Sequence, residues 1–61
     1  MNKLSLSNFL YNTEAITMNT IYNNEINLIQ TEEGNAILIS EKEFLSILNT
    51  MHKSDIFNNI E

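Results

Sequence analysis

The chain's single glycine, Gly34, divides two short runs rich in isoleucine and leucine, and this arrangement constrains the fold more than any other feature. Residues 26–31 (INLIQT) and 36–40 (AILIS) flank Glu32, Glu33, Gly34 and Asn35. β-Branched side chains favour pleated backbone, and glycine supplies the positive φ that a tight connection usually requires, so the segment predicts a β-hairpin. Successive side chains of a strand point to opposite faces. Ile26 and Leu28 therefore point one way and Ile29 the other, while Leu38 opposes Ile37 and Ile39. A hairpin that is apolar on both faces needs two coverings, and one layer of helices from the same chain supplies only one. The other is expected from a second copy, with Ile29, Ile37 and Ile39 at the dimer interface.

Size leads to the same expectation. A chain of 61 residues buries only about 60% of the surface its unfolded form exposes, and small domains usually add disulfides, a metal or a partner subunit. There is no cysteine. His52 is the one good nitrogen ligand, so no metal or other cofactor is expected. Oligomerisation remains.

The flanking segments complete an α+β pattern. Residues 3–6 (KLSL) alternate polar and apolar over the length of an edge strand. Ser7 is a candidate N-cap for a helix running to about Tyr22, with Phe9, Leu10, Ile16 and Ile21 near one face and Thr13, Thr17 and Thr20 interrupting it. Asn23 and Asn24 suit a helix end, since asparagine tolerates the left-handed conformation. Ser40 and Glu43 have the spacing of a capping box. Phe44, Ile47, Leu48 and Met51 then recur at helical spacing and are expected to pack on the hairpin. Ser54 and Asp55 can cap one last turn carrying Ile56, Phe57 and Ile60, too short to be stable without a partner surface. The expected fold is thus a small antiparallel sheet, the short N-terminal strand plus the hairpin, packed with helices in a homodimer.

Eight acidic residues against three lysines, without arginine, give a net charge of −5. Such a surface repels nucleic acid, whose binding rests on lysine and arginine neutralising phosphates, and suits a basic protein partner. No apolar run reaches the ~20 residues needed to span a bilayer, and no secretory leader pattern is evident, so a cytoplasmic protein is expected.

With the elements placed, residues 28–48 (LIQTEEGNAILISEKEFLSIL) resemble the central pattern of the Phd/YefM antitoxin family. That pattern is two strands around a glycine turn, then serine, two or three charged residues, an aromatic and a leucine or isoleucine pair. Ser7, Asn8 and Phe9 resemble the start of the family's first helix, and Asn12 matches an asparagine common within it. The resemblance covers about residues 3–52. It implies a dimerisation domain over residues 1–52 that binds operator DNA, and a C-terminal segment over residues 53–61 that folds on a toxin and blocks it. Toxins of such systems are commonly basic ribonucleases or kinase-like enzymes. Two positions depart from the family: Leu10 stands where an arginine usually contacts DNA, and residues 51–61 form a shorter tail than is usual.

Three residue groups are candidates for function. Met51, Ile56, Phe57 and Ile60 can dock as helix-face anchors on a protein partner, the alternative being that they pack on their own domain. Glu32 and Glu33, with Glu41 and Glu43 beyond them, can pair with a basic partner, although such charges more often form a solvated turn and helix start. Lys3, Ser5, Ser7 and Asn8 are the one group able to hold DNA phosphates, without the arginine that most often reads bases. His52 is not accompanied by a cysteine or a recognisable triad serine, and a single glycine cannot build a phosphate loop, so the chain is not expected to be an enzyme. The sequence therefore points to an antitoxin-like protein that neutralises a toxin by direct binding. The alternative is a phage- or plasmid-encoded inhibitor that turns the same fold on a host defence complex.

Overall fold

The computed structural model describes residues 1–51. The chain forms strand β1 (Asn2–Ser5), helices α1 (Leu6–Tyr11) and α2 (Thr13–Asn23), strands β2 (Asn27–Thr31) and β3 (Gly34–Leu38), and helix α3 (Glu41–Met51). The three strands make one sheet in the order β1-β2-β3. The α+β class is as expected.

The sheet is mixed, which corrects the expectation of an antiparallel one. β1 runs parallel to β2, pairing Asn2 with Asn27 and Ser5 with Gln30, and only the hairpin is antiparallel. Parallel neighbours need a crossover of a dozen or more residues, and residues 6–26 supply it through α1 and α2. Alternation in the sequence marks strand faces, not strand direction, so KLSL could not reveal this.

The hairpin forms with Glu32 and Glu33 as its turn, and Thr31 pairs with Gly34. The Thr31 hydroxyl donates to the Gly34 carbonyl and accepts from the Glu33 N–H at 3.1 Å. Gly34 has φ +137°, a region that side-chain-bearing residues rarely adopt. The second strand begins two residues earlier than expected because the turn is this tight.

The long first helix of the sequence reading is two helices, and its cap is Ser5 rather than Ser7. Ser5 is extended (φ −78°, ψ 159°), and its Oγ accepts from the Asn8 N–H at 3.1 Å. Ser7 lies in the first turn. At Asn12 (φ −126°, ψ 36°) the chain leaves the helical path; the Asn12 N–H donates to the carbonyls of Asn8 and Phe9. The Thr13 hydroxyl satisfies the same end, reaching the Phe9 carbonyl at 2.8 Å and that of Leu10 at 3.2 Å. The Asn12 carbonyl accepts from the Ile16 N–H and so starts α2. Of the threonines that interrupt the apolar pattern of a single helix, Thr13 thus sits at the break and satisfies the end of α1. α2 ends at Asn24, which is left-handed (φ 56°) as expected.

The core is small. Ile29 is the one buried apolar side chain among the described residues, at 6% exposure, with Leu4, Phe9, Ile16, Ile26, Leu28, Leu38, Ile39 and Leu48 half-buried. Thr20 is 1% exposed. Its hydroxyl donates to the Ile16 carbonyl at 2.8 Å and accepts from the buried Asn27 Nδ2 at 2.9 Å, tying α2 to the central strand. Pairing register places Leu4, Asn27, Ile29, Ala36 and Leu38 on the face that meets the helices, and Lys3, Ser5, Leu28, Gln30, Asn35 and Ile37 on the other.

α3 starts with the serine half of the expected capping box: the buried Ser40 hydroxyl accepts from the Glu43 N–H at 3.0 Å. Of its apolar stripe, expected on the hairpin, only Leu48 is half-buried. Phe44 is 47% exposed and Met51 62%, with Leu45 and Ile47 also open to solvent. The described residues do not supply a full covering for this stripe. No helix among the described residues is long and apolar enough to cross a membrane.

Candidate functional site

The parallel register of β1 shapes the surface at one end of the sheet. Because Ser5 pairs with Gln30, the end of β1 and the start of α1 lie beside the end of β2 and its turn. Between them runs an open trough of about 870 Å³, lined by Ser5, Leu6, Ser7 and Leu10 on one side and Gln30, Thr31, Glu32 and Glu33 on the other. Leu6 and Leu10 are exposed large apolar side chains on its first wall. Glu32 and Glu33 are exposed at the turn, and no lysine among the described residues lines the trough.

Two groups assigned separately in the sequence thus meet. Ser5 and Ser7, candidates for holding phosphate, share a surface with Glu32 and Glu33, candidates for a basic protein. The Ser5 hydroxyl already accepts from the Asn8 N–H, which occupies both groups in the helix cap. Lys3 is exposed on the open sheet face, outside the trough. Sequence reasoning missed Leu6 and Leu10 as lining residues. The available signal was that a cap at Ser5 leaves both leucines outside the core, but this depends on knowing which serine caps.

The expected dimer residues do not form one face. Ile29 pairs with Ala36 on the helix-facing side and is buried in the chain's own core, whereas Ile37 pairs with Leu28 on the opposite side and is 57% exposed. Ile39 is half-buried between β3 and α3. The open sheet face is apolar only at the Leu28–Ile37 pair, with Lys3, Ser5, Gln30 and Asn35 around it, so it is less apolar than the sequence alone suggests. β3 is an edge strand whose residues Gly34, Asn35, Ala36 and Ile37 are all exposed and uncharged.

Met51, the first of the expected tail anchors, ends α3 and is exposed; Ile56, Phe57 and Ile60 lie outside the described residues. No group of three or more metal-ligating side chains occurs among the described residues.

Comparison with protein-family models, curated proteins and solved structures finds no match. The reading of function therefore rests on the residues and surfaces described above.

Proposed function

We propose that the protein is a homodimeric binding module of the antitoxin kind, which neutralises a partner protein by direct contact. One observation carries this reading: from Gly34 to Met51 the chain presents an uncharged edge strand and then an amphipathic helix whose Phe44, Ile47 and Met51 the other described residues leave exposed. Unpaired strand edges without charge invite pairing with another chain, and clustered exposed apolar side chains usually mark interaction surfaces. A second copy meeting β3 and Ile37 removes the first of these. Met51 at the end of α3, with Ile56, Phe57 and Ile60 beyond it in the sequence, supplies the anchors for the partner.

Partner chemistry follows from charge. A surface of net charge −5 per chain favours a basic protein, and the carboxylates of Glu32 and Glu33 beside Ser5 and Ser7 disfavour phosphate at the surface where operator DNA would be held. A toxin is the favoured target, acting in the cytoplasm with its inhibitor. A host defence complex is the second reading, supported by the same acidic surface and by Leu10 at the position of the family's arginine.

Affinity purification of the full chain from its native cells, beside a chain ended after Met51, tests the proposal. The full chain is expected to retain a stoichiometric basic protein that the shortened chain loses, while both remain dimers. A shortened chain that holds the same protein at full affinity contradicts the role given to the tail.

A further inference from the structure

The trough between α1 and the hairpin turn is a second protein-docking surface, and we infer that it takes a cationic segment bearing aliphatic side chains. Its walls are chemically divided. Leu6 and Leu10, large and exposed, offer apolar area, and Glu32 and Glu33 place two carboxylates on the facing wall, with no lysine of the described residues lining it. The volume, about 870 Å³, accommodates several side chains of an incoming segment.

Charge selects the occupant. A second copy of this chain brings a net charge of −5 and duplex DNA brings phosphates, and both meet like charge at the turn. A lysine- or arginine-bearing amphipathic segment gains at both walls, its aliphatic side chains on Leu6 and Leu10 and its cations near Glu32 and Glu33. The parallel β1–β2 register fixes this juxtaposition, since it alone brings the start of α1 beside the turn.

The inference rests on the chain being a protein-binding module, but it names a surface separate from residues 52–61. The experiment keeps the two apart by using the full chain and a leucine–lysine amphipathic peptide as the probe. Amide chemical shifts are followed as the peptide is added, and affinities are measured for Glu32→Gln/Glu33→Gln, for Leu10→Ser and for a control of equal charge change, Glu14→Lys. All four positions are exposed, so the fold is retained in each variant.

The shifts are expected to concentrate on Leu6, Ser7, Leu10 and residues 30–33. Neutralising Glu32 and Glu33 weakens binding about fivefold, Leu10→Ser weakens it by a similar factor, and the control changes it less than about twofold. Equal loss in the control means diffuse attraction to net charge and overturns the proposal. So does shift mapping to α3, or duplex DNA competing at the same residues. Retention of peptide binding here by a chain that fails to capture a cellular partner through its tail counts against the proposed function and leaves this surface standing.

Discussion

The Thr20–Asn27 contact makes a prediction that depends on which partner is removed. Asn27 is 4% exposed, and its Nδ2 donates to the Thr20 Oγ1 at 2.9 Å, while the Thr20 hydroxyl donates onward to the Ile16 carbonyl. In Thr20→Val the shape is nearly kept, but the amide loses its acceptor in a site closed to water. A lost hydrogen bond contributes about 1 kcal/mol, and a buried donor left unsatisfied adds about 1–3 kcal/mol, so the change should cost about 2 kcal/mol or more. Asn27→Val leaves no such orphan, because the Thr20 hydroxyl keeps Ile16, and it should cost less. The double variant removes the orphan and should be more stable than Thr20→Val alone. Urea unfolding followed by circular dichroism, at one protein concentration for all variants, measures the order. In thermal unfolding the Thr20→Val loss corresponds to about 10 °C. If Thr20→Val and the double variant are equally destabilised, or if Thr20→Val costs less than about 0.5 kcal/mol, the pair does not join α2 to the sheet as described.

Three further outcomes follow from the local geometry. Ser40→Ala removes the acceptor for the Glu43 N–H and should cost about 1 kcal/mol in urea unfolding, lost mainly as helix signal from α3. Gly34→Ala meets no atom within 4 Å of the new Cβ but must adopt φ +137°; backbone strain alone should cost about 1–3 kcal/mol, measured as a lowered midpoint without a change in the hairpin's pairing. Ile37→Lys places a charge on a side chain already 57% exposed in the single chain. It should leave the circular dichroism spectrum unchanged while weakening self-association about tenfold or more, as read by sedimentation.

Much of the chain's local structure is legible in the residues. Gly34, Asn24 and Ser40 announce a hairpin turn, a helix end and a helix start because each supplies a backbone conformation or a hydrogen bond that its neighbours cannot. Where two residues can do the same job, the sequence does not choose. Ser5 and Ser7 are both adequate caps, and only the sheet register, which ends β1 at Ser5, decides between them. Thr13 looks like a flaw in one helix and is the group that satisfies the end of α1. Long-range placement was hidden for a different reason: strand alternation does not encode whether β1 runs with or against β2. The trough depends on that direction, so its leucines and glutamates, twenty or more positions apart, could not be grouped beforehand. The exposed stripe of α3 is the reverse case. Its periodicity is plain, but periodicity says that a face will be covered and not by which chain.

The mass of the protein in solution bears most directly on the claim that this chain completes itself with a second copy. Sedimentation equilibrium over a wide range of concentrations is expected to give a mass near twice 7.1 kDa, falling toward one chain only on dilution or in Ile37→Lys. A mass of one chain at every concentration, with the fold intact, would contradict the account.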